Sequence, residues 1–101
     1  MPKGYWVANV DVFDPEGYKA YIKANAVAFA KFGGRFVVRS GRHVVMEGTS
    51  AARQVVIEFQ DYETALACFH SPEYQAAMAL RANVSKGNLV IVEGYEGPQP
   101  G

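Results

Sequence analysis

The sequence predicts an α+β fold, in which helices cover one face of a four-stranded antiparallel sheet, within a chain of 101 residues. Polar and apolar residues alternate over residues 5–12, as in a strand with two different faces. A stretch with apolar residues spaced by three, four and seven then indicates an amphipathic helix. Two more strand patterns, a second helical stretch and a last apolar strand follow it. The predicted order is therefore β-α-β-β-α-β.

The first strand has an apolar face and a polar face. Trp6, Ala8 and Val10 share the apolar face, which we expect to pack against the helices. Asn9 and Asp11 lie on the other face, which we expect to meet a more polar environment. The strand therefore predicts a sheet with one side covered by helices and one side of mixed character.

The first helix is predicted from its start and stop signals. Asp14 is a typical N-cap and Pro15 suits the first helical position. Gly33 suits a left-handed C-cap after Phe32. The apolar stripe of this helix consists of Tyr18, Tyr21, Ile22, Phe29 and Phe32.

Asn25 lies in the middle of that stripe, seven residues after Tyr18 and four before Phe29. A buried amide without a partner costs about 1–3 kcal/mol. One interpretation is a core Asn25 bonded to the backbone, the usual state of buried polar groups. The other is that Asn25 and Tyr21 line a ligand pocket between this helix and the sheet.

Residues 33–48 are predicted to form one long strand with Gly41 in its middle. Arg35, Val37 and Arg39 share one face, and a glycine inside a strand marks a bulge or a bend. Because a bulge reverses the alternation, the face taken by His43 stays open. The strand is longer than the usual ~5–6 residues, so we expect its far end to reach a partner subunit.

The second half of the chain repeats the pattern. Residues 54–60 form the third strand, and Asp61 caps a second helix that restarts at Ser71 and Pro72. Residues 88–95 form the fourth strand, apolar on both faces as a central or doubly covered strand would be. This is the ferredoxin-like arrangement.

Residues 1–96 are predicted to form one domain, followed by a loose tail at residues 97–101.

The predicted topology places the third strand between the first and the second. Glu58 is then expected beside Asn9 and Asp11 on one side and beside Arg35 and Arg39 on the other. All of these side chains are expected on the sheet face away from the helices. A face of this mixed composition favours a second copy of the chain as its partner, and hence a homodimer.

Composition narrows the class of function. A net charge of zero argues against nucleic-acid binding. The single cysteine, Cys68, permits no intrachain disulfide and fits the cytoplasm. No apolar run approaches bilayer length, so we expect no membrane association. Two histidines without ligand spacing and the lack of a phosphate-loop motif predict no metal and no cofactor.

Several segments of the chain are similar to a known family. They are GYWVANVDV, DPEGYKAY, FGGRFVVRSG, VVIEF, FHSPEYQAAMALR and VEGY. Together they resemble the family of domain of unknown function 1330 over nearly the whole chain, and GGRFVVRSG and HSPEYQ are the most specific parts. The resemblance implies a ferredoxin-like subunit that pairs into a dimeric α+β barrel, and it assigns no activity. Related barrel superfamilies include cofactor-independent monooxygenases, lactone isomerases and haem enzymes.

The polar sheet face is the first candidate site. Arg39 and Arg35 would clamp a carboxylate, because a guanidinium matches a carboxylate with two parallel hydrogen bonds. Asp11 or Glu58 would accept a proton if burial raised its pKa, although an adjacent arginine acts in the opposite direction. His43 is a candidate general base by residue type alone.

Two classes of function remain from the sequence. The first is a pocket for a small carboxylated or aromatic molecule, in an enzyme of monooxygenase or isomerase type as the related superfamilies imply. The second is a non-catalytic dimeric module, in which the same arginines and acids pair with one another and specify the interface.

Overall fold

The computed structural model describes residues 2–101. Its elements are β1 (Gly4–Val12), α1 (Pro15–Phe32), β2 (Arg35–Arg39), β3 (Arg53–Phe59), α2 (Tyr62–His70), α3 (Pro72–Arg81) and β4 (Ser85–Glu93). The strands form one antiparallel sheet in the order β2-β3-β1-β4. The predicted ferredoxin-like α+β fold is confirmed, including the position of the third strand between the first and the second. We call the sheet side that faces the helices the inner face, and the opposite side the outer face.

The helices begin where their capping residues predict. The Asp14 carboxylate accepts a hydrogen bond from the Gly17 amide at 3.1 Å, and the Asp61 carboxylate accepts one from Thr64 at 2.8 Å. The Ser71 hydroxyl accepts one from the Tyr74 amide at 3.1 Å and starts α3 directly after α2. These caps satisfy amide groups that no helical carbonyl can reach.

Trp6 is the centre of the core on the inner face. Its ring meets Phe29 and Tyr74 edge to face, with centroids 5.2 and 4.8 Å apart. Its indole nitrogen donates to the carbonyl of Ala65 at 2.9 Å. Edge-to-face aromatic pairs are favourable beyond the area that they bury, so Trp6 links β1 to α1, α2 and α3.

The prediction of one long strand over residues 33–48 was wrong. β2 ends at Arg39, and Ser40 takes a left-handed conformation with φ of 53°. The Ser40 amide makes a last bond to the carbonyl of Gln54 at 2.8 Å. Residues 41–52, here called the arm, contain no strand, because no neighbouring strand of this chain extends far enough to pair with them.

The fourth strand also differs from the prediction. It begins at Ser85, three residues earlier than the apolar pattern indicated, because Ser85–Val12 pairing continues to the end of β1. It is an edge strand and not a central one. Val90 and Val92 are exposed on the outer face, which no helix covers. Among the helices of residues 2–101, none is both long and apolar enough to span a membrane.

Candidate functional site

A β-bulge in β2 moves Arg39 to the inner face. Phe36 pairs with Ile57, but Val38 pairs with Val56 and Arg39 with Val55, so the register shifts by one residue between Phe36 and Val38. Arg39 therefore points to the helix side with its partner Val55. The prediction that Arg39 shares a face with Arg35 was wrong, because the bulge is at Val37 and not at Gly41.

The outer face carries an ion pair. Glu58 accepts hydrogen bonds from Arg35 Nε and from the Tyr5 hydroxyl, both at 3.2 Å. The bond from Arg35 is the main cause that lowers the pKa of Glu58 below its ordinary value. That direction is opposite to the one a general base needs, so this arrangement resembles a structural pair more than a catalytic carboxylate.

The sequence predicts Asp11 beside Glu58, and this prediction was wrong. Tyr5 is the β1 residue opposite Glu58, and Asp11 lies near the other end of β1. The Asp11 carboxylate accepts a bond from the Ala52 amide at 2.8 Å, and the Asn9 side chain accepts one from the Ala51 amide at 3.1 Å. Both side chains therefore hold the returning end of the arm against the sheet.

His43 lies in the exposed arm, away from both sheet faces. Its Nδ1 is 3.1 Å from the carbonyl of Gly41, two residues before it. It lines neither of the cavities described below. Among residues 2–101, His43 forms no hydrogen bond with any of the other candidate residues.

A cavity of about 120 Å³ lies between the inner face and the helices α1 and α3. Its buried walls are formed by Trp6, Tyr18, Tyr21, Phe29, Ile57 and Tyr74. Exposed residues form its rim, namely Arg39, Ser40, Gly87 and Asn88. Solvent therefore reaches the cavity from the end of the sheet at which β2 ends and β4 begins. We call this cavity the pocket.

Asn25 lies in the wall of the pocket. It is 7% exposed, and its side-chain amide has no hydrogen-bond partner among residues 2–101. The interpretation as a core amide bonded to the backbone is therefore not what the structure shows. Of the predicted ligand-binding residues, Asn25, Tyr21 and Arg39 come together in the pocket, and Arg35 does not.

Two tyrosines supply hydroxyl groups at one wall of the pocket. The hydroxyls of Tyr21 and Tyr74 are 2.7 Å apart, and one of them donates to the other. Burial raises the pKa of Tyr74 and, on the same wall, that of Tyr18. The phenols of Tyr74 and Tyr18 are therefore neutral at physiological pH and able to donate hydrogen bonds.

Three arginines line the pocket, and each lies over an aromatic ring. The guanidinium carbon of Arg39 is 4.2 Å from the Phe36 centroid. The corresponding distances are 5.5 Å from Arg53 to Tyr18 and 5.6 Å from Arg81 to Tyr21. Within the described part of the chain, none of the three forms an ion pair, and the pocket lining contains no carboxylate. The pocket is therefore positively charged and aromatic.

Sequence reasoning did not identify Arg53 and Arg81, although both carried a signal. Arg53 has the same parity on β3 as Val55 and Ile57, which points it to the inner face. Arg81 follows Tyr74 by seven residues on α3, which places both on one helix face. A charged residue at a core-facing position is therefore the sequence signal that identifies Arg53 and Arg81.

Other reactive groups contribute little to a site. Burial raises the pKa of the Cys68 thiol to about 12, so this side chain is a small buried hydrophobe and not a thiolate. His70 is exposed, and its ring packs edge to face on Phe69. Residues 2–101 contain no cluster of three or more side chains that would suit a metal ion.

Comparison with solved structures shows similarity in fold at low sequence identity. A protein of unknown function from Rhodopseudomonas palustris aligns with a TM-score of 0.74 at 15% identity, covering 95% of this chain and 85% of that chain. SnoaB, a cofactor-independent oxygenase from Streptomyces nogalater, aligns with a TM-score of 0.61 at 16% identity, covering 99% and 97%.

A dimeric ferredoxin-like protein of unknown function from Thermobifida fusca also aligns, with a TM-score of 0.61 at 17% identity and 91% coverage of each chain. No match was found among curated proteins.

The family model described as Domain of unknown function (DUF1330) matches residues 3–95. The chain belongs to that family.

Proposed function

We propose that the pocket binds a small aromatic carboxylate. The observation that carries this proposal is the set of three arginines, Arg39, Arg53 and Arg81, that line an aromatic cavity with no carboxylate among its described lining residues. The Asn25 amide lines the same cavity, is 7% exposed and has no protein partner among residues 2–101. It therefore offers a hydrogen bond to a ligand that enters the cavity.

The charge of the proposed ligand follows from the arginines at the pocket mouth. Arg39 is opposite Val55, so Arg53 is its diagonal neighbour on the adjacent strand. Long side chains at diagonal positions on one sheet face reach each other. Two guanidinium groups without an acidic partner would repel each other, and a carboxylate bound between them relieves that repulsion through charge-assisted hydrogen bonds.

The size and shape of the ligand follow from the walls. The cavity volume of about 120 Å³ is close to the ~150 Å³ of an apolar protein cavity that takes up benzene. Most of the wall is aromatic, including Tyr18, Tyr21 and Phe29. One aromatic ring therefore matches both the volume and the chemistry of the pocket.

An oxygenase reaction is the further function that the similarity in fold to SnoaB, a cofactor-independent oxygenase, raises. The pocket lining, as far as residues 2–101 describe it, has neither a carboxylate nor an imidazole. The raised pKa values of Tyr18 and Tyr74 keep these phenols protonated at neutral pH, so they do not provide a general base. We therefore assign binding of the acid to this pocket, and any chemistry would depend on groups of the substrate itself.

A second copy of the chain is the proposed partner of the outer face. Val7, Val38, Val90 and Val92 expose apolar surface there, around the Arg35–Glu58 ion pair. Contiguous apolar surface of this kind typically marks an interface. The Thermobifida fusca protein of similar fold is dimeric, which supports a homodimer, and the exposed valines point to the outer face as its interface.

Calorimetric titration with sodium benzoate tests the proposal. Arg39→Ala and Arg53→Ala should each weaken binding about tenfold or more, since hydrogen bonds to charged groups contribute about 1.5–3 kcal/mol. Arg35→Ala is the matched control, with the same residue type and strand but the outer face, and it should bind benzoate as the wild type does. Arg39→Ala should also melt close to the wild type. Unchanged benzoate affinity in both pocket variants would contradict the proposal.

A further inference from the structure

A second cavity lies next to the pocket, between α2 and the edge strand β4. Its volume is about 390 Å³, and it is more open to solvent than the pocket. Its lining is mostly apolar and consists of Leu66, Phe69, His70, Arg81, Leu89 and Ile91. We call this cavity the groove.

The groove and the pocket share two lining residues, Arg81 and Leu89. These two side chains therefore form the boundary between the cavities. Arg81 is in the last turn of α3, is half-buried, and forms no ion pair within residues 2–101. Its long side chain rests on the Tyr21 ring with the guanidinium carbon 5.6 Å from the centroid, and it interacts with the phenol groups of Tyr74 and Tyr21 at the wall of the pocket.

We propose that the pocket and the groove form one elongated site, and that its ligand is an aromatic acid with an apolar tail. This inference rests on the function proposed above. The carboxylate lies between Arg39 and Arg53, and the ring lies among the aromatic walls. The tail passes Arg81 and Leu89 and lies on the apolar surface of the groove.

The chemistry of the groove favours an apolar tail over a second charged group. Leu66, Phe69 and Ile91 provide aliphatic and aromatic surface on both sides of it. Its lining contains no acid among the described residues, and its polar members, His70 and Arg81, leave the floor apolar. Apolar surface removed from water is stabilising roughly in proportion to its area, so a tail in this groove adds affinity without requiring a new polar partner.

The location of the groove is compatible with the proposed dimer. β4 is the edge strand, and the groove lies on its inner side, where Leu89 and Ile91 point to the helices. The proposed interface uses Val90 and Val92 on the opposite side of the same strand. A second subunit on the outer face therefore leaves the groove open.

A series of para-substituted benzoates tests the inference. Benzoate, 4-ethylbenzoate and 4-butylbenzoate are titrated into the full-length protein, and the ratio of their affinities is measured. Each methylene taken out of water should tighten binding about fourfold. Since part of the tail stays near solvent, 4-butylbenzoate should bind about tenfold or more tighter than benzoate.

Two variants test whether the apolar tail of the ligand lies in the groove. Leu66→Gln places an amide in the groove, and the affinity ratio of 4-butylbenzoate to benzoate should fall towards one. Leu80→Gln is the matched control, because Leu80 is an exposed leucine of α3 that lines neither cavity. It should keep the wild-type ratio.

The outcomes separate this inference from the proposed function. Binding of benzoate without a gain for 4-butylbenzoate would overturn the elongated site and leave the proposed function standing. A gain that persists in Leu66→Gln would overturn the assignment of the tail to the groove. If benzoate itself does not bind, the proposed function fails, and the inference fails with it.

Discussion

Arg35 and Arg39 differ in role although they are four residues apart on the same strand. On the outer face, Arg35 Nε is 3.2 Å from Glu58, which takes up its charge. On the inner face, Arg39 stacks over the ring of Phe36 and forms no ion pair among the described residues. A paired arginine has little left to offer a ligand, whereas an unpaired one at a pocket mouth attracts an anion. The two arginines differ in role because their side chains lie on opposite faces of the sheet.

The same contrast holds for apolar residues on the two faces. Trp6 is 3% exposed on the inner face, and its neighbour Val7 is 43% exposed on the outer face. The helices thus cover the inner face within one subunit, whereas the outer face is exposed in it. This contrast leads to four predictions, which differ in the size of the effect that we expect.

The largest effect should come from the inner face. Trp6→Ala removes the ring at the centre of the core and should lower the free energy of unfolding by about 3–5 kcal/mol. Urea unfolding, followed by circular dichroism at fixed protein concentration, measures it. Val7→Ala is the control on the opposite face and should cost far less. Equal losses would mean that the two faces are packed alike, against the contrast drawn above.

The next effect tests whether a second subunit covers the outer face. Val90→Asp places a carboxylate in the proposed interface, and a buried unpaired charge costs about 3–5 kcal/mol. The dimer dissociation constant should rise about 100-fold or more, which light scattering at several concentrations will show as a shift towards the single-subunit mass.

The control for this experiment is Val27→Asp. Val27 on α1 has the same 60% exposure as Val90, but it lies on a helix and not on the sheet face. It should leave the molar mass unchanged. A wild-type protein that is monomeric at all concentrations would refute the homodimer.

A smaller effect concerns the stability of the fold at acidic pH. The hydrogen bond from Arg35 lowers the folded-state pKa of Glu58 below the ordinary value of 4.5. The stabilisation that the ionised Glu58 gains from Arg35 is therefore fully present above pH 4.5. It declines as the pH falls through the lower folded-state pKa of Glu58. Glu58→Gln should reduce the loss of melting temperature in acid. If the melting curves of wild type and variant decline in parallel, Glu58 does not contribute in this way.

The smallest effect is expected from deletion of Val37. This residue is the extra one in the bulge, so its loss should leave Phe36 opposite Ile57 and Arg39 opposite Val55. Stability should change by about 1 kcal/mol or less, the range that strand propensity spans. Benzoate binding should persist. Loss of binding with an intact fold would show that the bulge contributes more than the direction of Arg39.

The fold was predictable because its signals are local. Asp14, Asp61 and Ser71 cap helices as their positions in the sequence indicate. Periodicity also placed Tyr21 and Asn25 on the inner side of α1. These features depend on residues within a few positions of one another, which a single sequence displays.

The errors concern pairing between distant parts of the chain. The bulge at Val37 depends on how β2 meets β3, and the run Phe36–Val38 is compatible with regular alternation as well. The arm contains Val44 and Val45, which favour strands, but a strand also needs a partner strand, and none in this chain reaches them. Glu58 and Asp11 were separated for the same reason, since register decides which residues face each other.

The bulge at Val37 affects how relatives of this chain should be compared. A relative of the same strand length with an arginine aligned to Arg39 would lack the pocket charge if its strand paired in regular alternation without a bulge, because the guanidinium would then face outward. A relative one residue shorter would retain it. Conservation of a letter in an alignment column is thus a poor guide here, and the informative question is which residue lies opposite Val55.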